Sequence, residues 1–340
     1  MKRKIATIID VAHAAKVSTA TVSRALSKPE LLSEDTRKAV FSAIKVTGYR
    51  ANQVARNLRM KRAGAILVLV PNLGKPFYSK ILSGISDGFS CSDYSVLISD
   101  TESQPMGEDE LAGNLLDGRV DGVLSLDGNL SHAALKNCHA AGVSQRIVFV
   151  CEWPGDDRFH SIRSDNVAGA SMAIRHLYDL GHRRIAHVTG PAGNVLTTAR
   201  RKGAQSQRGI IGLPVRDEWI IRGDFSLESG RQAAEQILAM QERPTAVFCA
   251  ADMVAFGLIS RLQESGVVVP RDMSVVGFDD IEMSGSFLPA LTTIRQDRQK
   301  IGQLAAMRLL QRIADPKMEN GVDLVEVKLV ERASTAALSI

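Results

Sequence analysis

A chain of 340 residues, 45% hydrophobic and 23% charged, has the apolar content for a sizeable core, which excludes intrinsic disorder and leads one to expect two or three domains. The net charge of +5 is unevenly placed: residues 1–62 hold 14 Lys/Arg against four Asp/Glu, a net +10, and the other 278 residues stand at −5. A basic head on a mildly acidic body points to a polyanionic partner for the head alone. The start, MKRKIATIIDVAHAAKVS, lacks the apolar stretch of a secretion signal, and runs such as AILVLV (65–70) are strand-length, too short to span a bilayer. A cytoplasmic protein with no membrane partner is expected. Cys91, Cys138, Cys151 and Cys249 form no CxxC pair and no zinc spacing, and read as buried reduced thiols.

The first helix should start near residue 8, because Thr7 and Asp10 have capping-box spacing ahead of an apolar run. After the break at Lys16-Val17, Ser18 can cap a second helix running to about Leu26. At about 100° per residue, Val22, Ala25 and Leu26 share one side, able to pack on Val11, Ala15 and Val17. Thr19, Ala20, Ser23 and Arg24 share the other. Such a slim, hydroxyl-bearing face with one long cation fits a DNA major groove about 12 Å wide. A third helix fits residues 33–48, capped by Ser33, with Val40, Ala43 and Ile44 inward and Gly48 at its end. The whole reads as a helix-turn-helix head of about 50 residues.

The stretch IIDVAHAAKVSTATVSRALSKPELLSEDTRKAVFSAIKVTGYRANQVARNLR resembles the head of the LacI/GalR transcriptional repressors at nearly every position from 7 to 59, and STATVSRAL resembles the cytidine repressor branch in particular. The resemblance implies that Thr19, Ala20 and Arg24 read bases, while Ser18, Thr21, Ser23 and Asn52 mostly orient on phosphates of a double-stranded, pseudo-palindromic operator. It also implies that the cationic linker, residues 51–63, is a hinge helix contributing Ala55 and Leu58, with Leu58 wedging into the minor groove and kinking the site. An isolated helix of that length is marginal in water, so ordering it on the operator would couple folding to recognition.

Beyond Gly64, strand-length apolar runs at 65–70, 94–99, 120–126, 146–150, 184–190, 246–250 and 274–278 alternate with helical patterns near 77–90, 107–117, 131–141, 166–180, 228–240, 253–265 and 297–314. This alternation argues for parallel sheets wound on both faces by helices, and two sets of strands argue for two lobes. The expected fold is therefore an all-α head plus a two-lobed, doubly wound α/β core, which resembles the periplasmic-binding-protein-like core of the same family. On that resemblance the first lobe comprises 64–161 plus 291–320 and the second 162–290 plus 321–340, with a small-molecule effector in the cleft between them.

Post-strand loops supply the candidate cleft residues. Phe77 and Tyr78 offer flat surfaces for a base or sugar ring, Asp224 and Phe225 come from GDF, and Asp252 comes from AAD. Arg200 is placed by the resemblance. Phe77 could instead be core, and Asp224 and Asp252 could be helix caps. One departure is KGAQSQRGIIGLPV (202–215), whose glycines suggest a looser helix; another is Asn194, where a purine-binding relative has an arginine.

GISDG (84–88) matches the nucleophile elbow of hydrolases, but no strand precedes it, so Ser86 reads as a helix-surface residue and an enzyme is not expected. His182 and His187 fall on opposite faces of a strand, and neither a metal nor a cofactor is expected. With no leucine-heptad tail after residue 333, a homodimer is favoured. Two alternatives remain: a DNA-binding dimer without an effector, and a sugar-binding receptor of the same core fold. An exported receptor would carry a signal and no basic head.

Overall fold

The computed structural model describes residues 6–50, 57–58, 60, 62–156 and 158–338. It forms two compact units, Met1–Ala63 and Gly64–Ile340.

In the first unit, α1 is Ile8–Ala14, α2 Thr19–Ser27 and α3 Glu34–Thr47. Thr7 donates both its N–H and its hydroxyl to the Asp10 carboxylate at 2.7 Å, which fixes the start of α1. The Ser18 hydroxyl accepts from the Thr21 N–H at 3.1 Å, and Ser33 caps α3 in the same way through Thr36. Gly48 closes α3 at φ +67°, the left-handed geometry glycine adopts without strain. Val11, Ala12, Val22, Ala25, Val40 and Ala43 are buried together, ringed by Ile8, Ala15, Val17, Leu26 and Ile44. One apolar stripe per helix therefore suffices to orient all three. Of the expected hinge helix, Asn57 and Leu58 have helical backbone, while residues 51–56, 59 and 61 lie outside the described residues.

The second unit contains two six-stranded sheets. The first lobe takes β1 (Ala65–Val70), α4 (Phe77–Phe89), β2 (Ser95–Asp100), α5 (Glu110–Leu116), β3 (Gly122–Ser125), α6 (His132–Ala140), β4 (Ile147–Val150) and β5 (His160–Ser164). The second takes α7 (Asn166–Asp179), β6 (Ile185–Val188), α8 (Val195–Ile210), β7 (Ile220–Ile221), α9 (Leu227–Ala239), β8 (Ala246–Cys249), α10 (Asp252–Glu264), β9 (Ser274–Asp279) and β10 (Thr292–Gln296). The chain then returns to the first lobe through α11 (Arg298–Ala314) and β11 (Val322–Val325), and ends on β12 (Val327–Val330) in the second. The strand orders are β11-β5-β4-β3-β1-β2 and β12-β10-β9-β8-β6-β7. Every pairing is parallel except β10 with β12. In each sheet the order reverses beside its first strand, β1 or β6, and open parallel sheets hold ligands at the carboxyl ends of strands there.

The lobe crossings fall at 164–166, 296–298 and 325–327 rather than near 161, 291 and 320. Residues 292–296 thus pair in the second sheet and 322–325 in the first, the reverse of the expected division. The reason lies in β5, β10 and β11: HSIRS and TTIRQ are too polar, and VDLV too short, to announce strands, yet each completes its pairing before the chain crosses.

Close helix packing explains the glycines that had suggested other things. A Cβ on Gly84 would lie 2.1 Å from the Gln299 carbonyl oxygen, and one on Gly302 would lie 2.2 Å from that of Ile81. The GISDG stretch is therefore the contact surface of α4 on α11, with Ser86 exposed to solvent. Residues 202–210 form no loose segment but the second half of α8, where a Cβ on Gly203 would meet the Val167 carbonyl oxygen at 2.1 Å. Cys138, Cys151 and Cys249 are buried; Cys91, contrary to expectation, is exposed. No helix among the described residues is long and apolar enough to cross a membrane.

His187, on β6, is fully buried and stacks on Phe248 with ring centroids 4.6 Å apart. Burial, reinforced by Arg208, lowers its pKa to about 3. Because the folded-state value lies below the unfolded one, the stability this group contributes is complete above about pH 6.5 and is lost as pH falls toward 3. At about 1.4 kcal/mol per unit, the loss reaches a few kcal/mol. Urea denaturation from pH 7 to pH 4 should therefore show a steeper decline for the natural protein than for His187→Leu.

Candidate functional site

In the first unit, α2 divides as its sequence periodicity requires. Val22 and Ala25 are 0% exposed, while Thr19, Ala20 and Arg24 face solvent. Ser18 is exposed, and its hydroxyl meets that of Thr21 at 2.9 Å, so both side chains already serve the cap. Thr21 and Ser23 are half-buried at the edges of the face. Leu58 is 78% exposed, a large apolar side chain without cover. Asn52 and Ala55 lie outside the described residues.

In the second unit, the carboxyl ends of the strands surround a cavity of about 850 Å³, counting its open mouth. Its wall includes Phe77, Tyr78, Arg200, Asp224 and Phe225, which brings together five of the six cleft residues expected from sequence. Phe77 opens α4, half-buried, and meets Tyr78 edge to face at 5.3 Å. Phe225 has φ +67°, a conformation costly for a side chain with a Cβ, and its ring presses on the backbone at Gly190. Asp224 does not cap α9; Ser226 does, and the Asp224 carboxylate instead accepts the Ser226 N–H at 2.8 Å.

Asp252 is the exception. It is 0% exposed and does not line the cavity; its carboxylate accepts from the Ile281 N–H at 2.9 Å, the Ser284 hydroxyl at 2.7 Å and the Thr293 hydroxyl. Three donors from the β9–β10 region turn it into the lobe interior. Nor does it cap α10, whose cap is Ala251. Burial, then the charge of Asp279, pushes its carboxyl upward from the ordinary range.

Arg200 is the hub. Its guanidinium is 2% exposed and lies over the Phe278 ring at 3.9 Å. Nε donates to Asn166 Oδ1 at 2.9 Å, Nη1 donates to the Ala250 carbonyl, and Nη2 stands 3.5 Å from Asp279. Gln296 holds Asp279 from the other side at 2.7 Å. Held by two hydrogen bonds to protein and with its charge paired to Asp279, Arg200 organises the wall.

Sequence reasoning missed Glu152, Asp279 and Asn129, and noticed Asn194 without placing it in the site; all four line the cavity. Asn194 caps α8, accepting from the Leu196 N–H at 2.8 Å, and donates across the cleft to Glu152 at 3.2 Å. Burial raises the Glu152 carboxyl, an effect this hydrogen bond opposes. The available signal was positional, since Glu152 follows β4 closely and Asp279 ends β9.

Residues 7–52 match the model of bacterial regulatory proteins, lacI family, and residues 174–335 match that of a periplasmic binding protein-like domain. The HTH-type transcriptional repressor CytR of Escherichia coli (strain K12) is 36% identical over 98% of this chain and 97% of its own length. The repressor PurR of Aliivibrio fischeri (strain ATCC 700601 / ES114) is 34% identical over 98% and 99%. The Lac repressor dimer bound to operator and the anti-inducer ONPF superposes with a TM-score of 0.82 at 32% identity, over 98% of this chain and 100% of that one. A helix-turn-helix head with an open reading face, a two-lobed core around a polar cleft and full-length likeness to repressors agree: this chain belongs to the lacI family of bacterial regulatory proteins, as a DNA-binding transcriptional repressor.

Proposed function

We propose that two copies of the chain read the halves of a pseudo-palindromic operator and that a small uncharged metabolite in the cleft sets how tightly they hold it. The observation that carries this reading is the pair of sites itself: a bare polar face on α2 and a cleft whose wall comes from both lobes. Thr19, Ala20 and Arg24 read base edges; Ser18, Thr21, Ser23 and Asn52 orient on phosphates; Ala55 and Leu58, in a hinge spanning 51–63, enter the minor groove. Such a protein works in the cytoplasm, where its operator is, and performs no catalytic step.

The charge of the cleft narrows the metabolite. Arg200 is paired with Asp279, and Glu152 and Asp224 add carboxylates against one further cation, Lys75, so the lining holds more acids than bases and disfavours a phosphorylated or acidic ligand. Hydroxyls and ring nitrogens suit these acceptors, and Phe77 and Phe225 suit a ring. A free sugar or a nucleoside fits. Closure on it would rotate the first lobes and reset the spacing of the hinges, with a coupling of about 1–3 kcal/mol, or roughly 5- to 150-fold in operator affinity.

The test is operator binding titrated with nucleosides, pentoses and hexoses. One class should shift affinity within that range; a flat response across all of them would instead support a dimer that binds DNA without an effector. The hinge is tested separately by Leu58→Ala, which should abolish operator bending in a permutation gel while nonspecific binding stays within about twofold.

A further inference from the structure

The chain leaves β9 through four residues, Asp279 to Glu282, that are held at every step. Asp279 has φ +119° and Asp280 φ +51°, backbone conformations that a residue with a Cβ keeps only where its surroundings enforce them. The enforcement is visible. Asp279 accepts from Gln296 at 2.7 Å and stands 3.5 Å from Arg200, while the Asp280 carboxylate lies between Arg295 at 2.5 Å and Arg332 at 2.6 Å. The Ile281 N–H donates to buried Asp252 at 2.9 Å.

This strap of the second lobe has two faces. Asp279 and Ile281 line the effector cleft. Glu282 instead reaches the first lobe, where its carboxylate lies 3.0 Å from Lys80 Nζ on α4 and 3.5 Å from Arg298 Nη2 at the start of α11. The same Nη2 donates to the Asp280 carbonyl at 3.0 Å, and Nη1 donates to the carbonyl of Phe77, whose ring is in the cleft wall. The exposed Lys80–Glu282 pair alone is worth little. The Arg298 side chain is different, being 1% exposed with backbone acceptors on both lobes, so its contacts are costly to break. A ligand that moves Asp279 or Ile281 therefore moves the backbone on which the two lobes are fastened.

We propose that Arg298, Glu282 and Lys80 form an interlobe clasp that holds the two lobes at one angle, and that the strap Asp279–Glu282 carries the state of the cleft to it. The proposal rests on the effector reading only for what fills the cleft. The three clasp residues are positioning residues, since the cleft wall among the described residues does not include them. Loosening the clasp frees the lobes to turn about their crossings, whatever is bound.

The experiment reads the distance between nitroxide labels on the two lobes of the full-length protein. Cys91, exposed on the first lobe, takes one label and Ser206→Cys, at an exposed position of α8, takes the other; Cys138, Cys151 and Cys249 are buried. Labelled chains are exchanged into an excess of unlabelled protein, so that distances within one chain are measured. The natural sequence should give one narrow distribution. Lys80→Gln and Glu282→Gln should each broaden it or move its mean by about 2 Å or more. Combined, they should do no more than either alone, because they break the same contact. Arg298→Met should have the largest effect; if it loses its cooperative melt, the two exposed glutamine variants carry the test. Glu264→Gln, which breaks a pair with Arg231 inside the second lobe, should change nothing. Arg200→Met with Asp279→Asn, which alters only the cleft end of the strap, should move the distribution in the same direction as the clasp variants. A broad distribution in the natural sequence, no change in the glutamine variants, or an equal change in Glu264→Gln overturns the clasp, and no change in the cleft double variant overturns the role of the strap. No ligand or operator is used, so failure here is distinguishable from failure of the effector reading.

Discussion

Raising salt from about 50 to 200 mM should weaken operator binding by about 10³-fold or more, the loss expected when about six to ten phosphates are neutralised. The basis is the distribution of charge. The net +10 of residues 1–62 belongs to a head whose exposed α2 face carries a single arginine, so on the proposed reading most of its cations would serve the phosphate backbone and not the bases. Sequence-independent DNA should show nearly the same slope, because the released counterions are the same. Fluorescence anisotropy over a salt series reads both. A slope of about two phosphates or fewer would mean that the head does not lie along the backbone.

The second large effect belongs to Arg200→Ala. In the folded core this guanidinium satisfies Asn166, the Ala250 carbonyl and Asp279 at 2% exposure, and removing it leaves a buried carboxylate without its counter-charge. Breaking such a pair from one side costs about 3–5 kcal/mol. Calorimetry should therefore show a markedly lower melting midpoint for the core, while the head, a separate unit with its own buried cluster, keeps its nonspecific affinity for DNA. Operator binding should also stop answering to any metabolite that shifts it in the natural protein. The double change Arg200→Met with Asp279→Asn removes both charges and should recover much of the stability without recovering the response. If Arg200→Ala alone retains the full response, the hub assignment is wrong.

How much of this was legible in the sequence depends on where the information sits. Local rules were enough for the head: Thr7 with Asp10, Ser18, Ser33 and Gly48 are all caps, and a cap is a short-range signal. The central strands announced themselves because both faces are covered and their residues run apolar without interruption. The strands β5, β10 and β11 did not: β5 and β10 lie inside their sheets and are mostly buried yet carry His, Ser, Thr and Arg, β11 is a short, half-exposed edge strand, and the lobe crossings were misplaced as a result. The glycines of 202–210 suggested looseness because sequence shows that a Cβ is missing but not what occupies its place.

The cleft was partly legible for the same reason. Phe77, Tyr78 and Phe225 follow strands and are conspicuous in a chain that is 5% aromatic. Asp252 follows a strand too, but whether its carboxylate faces ligand or core depends on Ser284 and Thr293, far along the chain. Glu152 and Asn194 acquire meaning only as a pair across the cleft, a relation with no trace in linear spacing.

The central claim is that the open face of α2 reads sequence, and selection from a random duplex library tests it most directly. The natural protein should enrich a pseudo-palindrome. Arg24→Ala should flatten the preference at one symmetric pair of positions by about 1–3 kcal/mol per half-site and leave the others in place. Identical enrichment by the natural protein and the variant, or none by either, would contradict the account.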